Sequence, residues 1–131
     1  MFQKFIKKAI KTYKELIVWQ KLISFVTSLY KTLRLFPSHE NFSLTSQIRR
    51  CSVSIPSNIA EGFGRNSMKD FIQFLRIAMV SLFDLQTQVE TTYNLEYIKQ
   101  TDFDKNYKYS RETEALSEGL IKSLTNKLTK D

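Results

Sequence analysis

Between Leu44 and Phe63 the chain carries two apolar stripes on one helical period, and few folds accommodate that. Leu44, Ile48, Cys51, Ile55 and Ile59 recur at steps of four, three, four and four. Arg49, Val53, Pro56, Ala60 and Phe63 recur at four, three, four and three on roughly the opposite side. A polar strip of Ser46, Arg50, Ser54, Ser57 and Glu61 runs between them. The surface helix of a small monomer needs one apolar stripe facing one core. Two stripes call for neighbours on both sides, so one side is expected to meet another protein chain.

The rest of the chain supports a helical answer. Only three glycines and two prolines occur in 131 residues, too little material for the many tight turns of an all-β fold. The periodic segments are long and uninterrupted, which favours helices. The expected class is all-α, in one domain large enough to bury a core. Lys and Arg number 20 against 13 Asp and Glu, a formal charge of +7. That balance suits acidic partners such as RNA or DNA, although solubility alone also accounts for a charge of this size. No apolar run approaches the roughly 20 residues of a spanning helix, and nothing resembles a secretory signal. The cytoplasm is therefore the expected compartment.

Residues 1–14 hold five lysines and no acid. Phe2, Phe5, Ile6, Ala9, Ile10 and Tyr13 recur at three- and four-residue steps, the pattern of a basic amphipathic helix. Such a helix can lie on a membrane surface. It stays nearly in phase with the apolar residues from Leu16 onward, so continuation into the first bundle helix is preferred and membrane attachment is the alternative. The first helix is expected over Leu16 to Phe36. Its seam reads as Leu16, Trp19, Ile23, Val26, Tyr30 and Leu33, broadened by Leu22, Phe25, Leu29 and Phe36. Pro37 ends it. The second helix runs from Asn41 or Ser43 to Glu61 with Pro56 inside. Proline there has no N–H for the Ser52 carbonyl and crowds it, at a cost of roughly 3 kcal/mol. Ile59, Ala60 and Phe63 keep the helical phase beyond it. A kinked but continuous helix is expected, with a break at Ile55 as the alternative.

Gly62-Phe63-Gly64-Arg65 reads as the next turn, with glycine in the left-handed position after a helix. Ser67 to Asp70 reads as a capping box. Met68 to Asn94 is the third and most apolar helix, with Phe71, Leu75, Ala78, Leu82, Leu85 and Val89 as its seam. Phe74 and Phe83 widen its apolar arc and Ile77 and Val80 interrupt its polar face, more than two intrachain neighbours usually cover. Thr101 to Asp104 reads as a second capping box, opening a fourth helix through Phe103, Tyr107, Leu116, Leu120, Leu124 and Leu128. Four long helices on short turns give an antiparallel up-down-up-down bundle, with residues 15–131 as the bundle domain.

The chemistry is sparse. Cys51 is the single cysteine, so no internal disulfide is possible. On an apolar stripe it reads as an inert small hydrophobe. One histidine and one cysteine leave no metal-ligand cluster, and neither a metal nor a cofactor is expected. Gly62 and Gly64 lack the strand and the Gly-Lys-Ser/Thr of a phosphate-binding loop. Glu61 is best read as an ion-pair partner of Arg65 one turn on, or of a group across a subunit contact. No residue stands out as catalytic, and an enzyme is not expected. The candidates for phosphate contact are Arg50, Arg65, Lys69 and Arg76. Those for an oligomer interface are Arg49, Val53, Pro56, Ala60, Phe63, Phe74 and Ile77.

Leu16-Ile17-Val18-Trp19-Gln20-Lys21, Phe36-Pro37-Ser38-His39-Glu40, the segment from Gln47 to Gly62, and Phe71-Ile72-Gln73-Phe74-Leu75 resemble one bacterial family. It is the four-helix bundle family named for 23S rRNA intervening-sequence proteins. The likeness runs from about residue 13 to the end, and its Arg49-Arg50 to Ser54-Ile55-Pro56-Ser57-Asn58-Ile59-Ala60-Glu61-Gly62 portion is highly specific. Residues 1–12 precede the family's usual start. The resemblance implies a small antiparallel bundle that assembles as a homopentameric ring. A structurally similar branch, the accessory variability proteins of diversity-generating retroelements, binds a reverse transcriptase and nucleic acid through a basic surface. The implied partners are thus further copies of the chain, RNA or DNA, and a reverse-transcriptase-like protein. No catalytic residue carries over. A purely structural oligomer, its charge serving solubility, is the competing expectation.

Overall fold

Four helices make up most of the computed structural model, which describes residues 6, 7 and 9–130. They are α1 (Ile17–Leu33), α2 (Leu44–Gly64), α3 (Met68–Asn94) and α4 (Gln100–Lys130). Contacts between neighbours show the directions. Cys51 meets Ser81 while Gly62 meets Phe74, so α2 and α3 run antiparallel. Gln86 bonds Glu114 while Tyr93 stacks on Phe103, and Lys21 pairs with Glu112 while Ser28 bonds Asn106. Every helix therefore opposes its sequence neighbour, α4 closes back onto α1, and the expected bundle is the one observed. Among the described residues no helix is long and apolar enough to cross a membrane.

The start of α1 differs from expectation. Tyr13–Glu15 form one 3-10 turn, the Thr12 hydroxyl accepts the Lys14 N–H at 3.4 Å, and Leu16 is extended with ψ 124°. The Gln20 amide donates to the Lys14 carbonyl across this break. Of the expected N-terminal helix, residues 1–5 and 8 lie outside the described residues; the segment preceding α1 does not continue it. The break lets Ile10 and Tyr13 fold onto the core.

The face that α1 turns inward is also not the seam inferred from spacing. Val18, Leu22, Phe25, Leu29 and Leu33 are buried, while Ile23 and Tyr30 are exposed and Trp19 and Val26 are half-buried. Both sets recur at three- and four-residue steps, so periodicity alone does not choose between them. On α2 the stripe of Ile48, Ile55 and Ile59 is buried as expected. The helix continues through Pro56, which excludes the break at Ile55. The Ser54 hydroxyl and the Asn58 amide bond the carbonyls of Cys51 and Ser54 around it.

The expected turn at Gly62 is helical instead. The left-handed residue is Asn66, at φ 58°, two positions beyond the end of α2. Gly62 serves a different need: a Cβ there would lie 2.5 Å from the Phe74 Cβ, so only glycine lets α2 and α3 approach this closely. Ser67 caps α3 as expected, its hydroxyl accepting the Asp70 N–H at 3.3 Å. The second expected capping box fails, because α4 already begins at Gln100 and places Thr101–Asp104 inside the helix.

The inner face of α4 carries small polar residues beside the expected leucines, of which Leu116, Leu120 and Leu128 pack partly buried against the core. Asn106, Ser110, Thr113 and Ser117 are buried, while Tyr107 is exposed and Leu124 is the buried leucine. Asn106 accepts the Ser28 hydroxyl at 3.0 Å and donates to the Thr32 hydroxyl at 3.2 Å and the Asp102 carbonyl at 2.9 Å. These bonds satisfy a side chain that would otherwise destabilise the core. At one end of the bundle, Tyr97 donates to Glu40 at 2.8 Å and Ser43 donates to the other Glu40 oxygen. These bonds hold the Glu40 carboxyl below its usual range and join the α1–α2 connection to the α3–α4 connection.

A candidate assembly and nucleic-acid interface

Several α1 residues away from its fully buried face lie beside the second stripe of α2. Trp19, Ile23 and Val26 from α1 and Val53, Pro56 and Ala60 from α2 line an open groove of about 200 Å³, and Tyr13 stands at its rim with its ring 5.1 Å from Trp19. A second, more open hollow of about 380 Å³ continues it past Val53, lined by Tyr30, Arg49, Arg50 and Ser54. The Arg49 guanidinium lies 5.7 Å from the Tyr30 ring centre, within cation–π range. Val53, at the junction of the two hollows, is 42% exposed. The groove is thus apolar along most of its length and cationic at one end.

On α3, Ile77, Val80 and Phe83 form an exposed ridge, with Val80 62% exposed. Phe74 does not join it as a bare residue. It is half-buried against Gly62, with the Arg65 guanidinium 5.2 Å over its ring. Pro56 is buried at the floor of the groove. Phe63, expected at the interface, is 3% exposed and packs edge-on against Phe71, so it serves the chain's own core. Arg49, Val53 and Ala60, grouped by their spacing, line this groove or its extension. Sequence reasoning assigned Trp19, Ile23, Val26 and Tyr30 to the core; Trp19 packs against the core as well as lining the groove, whereas Ile23, Val26 and Tyr30 lie on the groove side alone. The one distinguishing signal was polarity, since Trp19 and Tyr30 carry an N–H or O–H group that favours a surface position.

The four candidates for phosphate contact do not form one cluster. Arg50 donates to the Ser46 hydroxyl at 2.8 Å from the end of the groove. Arg65 is held by Glu61 at 3.0 Å, the pairing anticipated from spacing. Lys69 and Arg76 are exposed on α3. Elsewhere, Lys105 and Lys108 flank a hollow of about 250 Å³ with Tyr109 and Glu112, the last of these paired with Lys21 at 2.9 Å.

Cys51 is half-buried, its thiol donating to the Ser81 carbonyl at 3.2 Å. Burial, with a smaller contribution from the nearby Asp84 charge, pushes it up to about 11. Such a thiol is a poor nucleophile. No group of three or more metal-ligating side chains occurs among the described residues.

Three comparisons bear on this arrangement. The family model for the 23S rRNA-intervening sequence protein matches residues 14–119. A crystal structure of a protein of unknown function from the S23 ribosomal protein family of Bacteroides thetaiotaomicron is similar, with a TM-score of 0.74 and 26% identity. The match covers 81% of this chain and 96% of that one. No curated protein matches.

Proposed function

Since this chain belongs to the 23S rRNA-intervening sequence protein family, we propose that it is a non-enzymatic homo-oligomer whose basic surface engages nucleic acid. The subunit number proposed is five, in keeping with the family resemblance. The partner on the basic surface is RNA or DNA, or a protein that processes one of them. The observation that carries the reading is the uncovered strip of Trp19, Ile23, Val26 and Val53 on a chain of net charge +7. A soluble monomer of this size has little reason to leave such a strip open, and a strongly cationic exterior attracts polyanions.

Arg50, Lys69 and Arg76 are the side chains assigned to phosphate; Arg65, already paired with Glu61, contributes least. Light scattering tests the assembly. The expected mass is several times 15.4 kDa, and a monomer at tens of micromolar overturns it. Titration with a structured RNA tests the charge. Affinity must fall as salt rises, by a log–log slope of roughly 0.7–0.9 per phosphate contact. Binding that ignores salt, or survives replacement of all three side chains by glutamate, removes the electrostatic reading.

A further inference from the structure

Resting on the oligomer proposed above, we infer that the α1–α2 groove of one copy receives the α3 ridge of the next, so that the contact is head-to-tail. The two apolar patches lie on different helices of the same molecule. The groove is a hollow with Val53 at its midpoint, and the ridge is a convex row centred on Val80. A hollow does not bury a second hollow, and a ridge does not bury a ridge. A twofold contact, which presses the same patch against itself, would leave one of the two uncovered. A contact between unlike patches covers both and propagates until a ring closes.

Charge gives the direction. Arg49 precedes Val53 by four residues on α2, and Asp84 follows Val80 by four residues on α3. Each charge therefore stands about one turn, roughly 6 Å, from its central valine. Seating Val80 against Val53 brings Asp84 to Arg49 only if the incoming α3 runs antiparallel to α2. Among the described residues of its own chain, Arg49 has an aromatic partner and no carboxylate, and Asp84 forms no ion pair. The pairing between copies satisfies both, and excluding water from the valines around it strengthens it.

The test uses the full chain with C51S, which keeps a donor for the Ser81 carbonyl. V53C, V80C and the double variant are treated with a short bismaleimide, and light scattering is run alongside. The expected result is no linkage in either single variant and a ladder beyond the dimer in the double variant. R49E and D84R should each reduce the mass towards 15.4 kDa, and the combination should restore it. Efficient linkage of V53C alone means groove against groove and overturns the pairing. An assembled protein that gives no ladder, or that R49E and D84R leave intact, overturns it while leaving the oligomer standing. A monomeric parent protein overturns both. Circular dichroism of each variant separates a lost contact from a lost fold.

Discussion

Alanine should act in opposite directions at two helical glycines of this chain. At Gly62 an added Cβ meets the Phe74 Cβ at 2.5 Å, its Cγ at 3.1 Å and the Phe71 Cδ1 at 3.3 Å. Carbon atoms pack best at roughly 3.5–4.0 Å, so the helices must part by about 1 Å. The Phe74 Cβ is fixed to the α3 backbone, and no rotamer change moves it away. Overpacking of this kind typically costs about 1–3 kcal/mol. The helix propensity of alanine over glycine returns about 1 kcal/mol. The net for G62A is a loss of up to about 2 kcal/mol. At Gly119, within α4, an added Cβ meets nothing within 4 Å. Only propensity acts there, so G119A should gain up to about 1 kcal/mol. The pair is thus separated by roughly 1–3 kcal/mol, or on the order of 5–10 °C in Tm for a chain of this length. Urea unfolding followed by circular dichroism measures both, at one fixed protein concentration because association shifts apparent stability. If G62A exceeds the parent protein, or gains as much as G119A, the close approach of α2 to α3 is wrong.

The remaining predictions concern polar groups. N106A should cost about 2–3 kcal/mol in the same urea assay, since it empties a buried site and strands the Ser28 hydroxyl. Cys51, held up to about 11, should react with a disulfide reagent at pH 8 roughly 100-fold more slowly in the folded protein than in urea. Because its folded value is raised, the thiol stays protonated in the native state while the unfolded thiol ionises. Its contribution to stability is intact at neutral pH and should decline between the ordinary thiol value and about 11. E40Q should lower Tm at pH 7. As the native Glu40 carboxyl is held low by Ser43 and Tyr97, the gap between variant and parent should close as pH falls through the carboxylate range.

How much of this was legible in the residues depends on what each pattern had to decide. Four helices, their order and the family were readable because each has a long 3.6-residue period and the stretch through Pro56 is distinctive. The inward face of α1 was not. Two stripes with the same spacing compete there, and only the position of α4 decides that Phe25 and Leu29 face inward while Ile23 and Tyr30 do not. The α4 leucines were legible as core-packing, but its buried polar residues were not, because only large apolar residues were taken to mark the core. Asn106 and Ser110 are buried because Ser28, Thr32 and Gln86 answer their polar atoms from other helices. Gly62 looked like a turn residue, since the close approach that requires it comes from Phe74, twelve positions further on. Val53 and Ile77 stood out as excess hydrophobicity and are exposed, whereas Val26 was read as core and instead lines the groove.

The hydroxyl-rich inner face of α4 also affects how the molecule opens. Serine and threonine give up little greasy area when they leave a core, so detaching α4 costs less per turn than detaching α3. Amide protons along Asn106 to Ser117 should therefore exchange with solvent by a partial opening, well below the free energy that protects Leu75 to Leu85. In that state the other three helices stay folded, and the longest helix of the chain behaves as its most readily released strut.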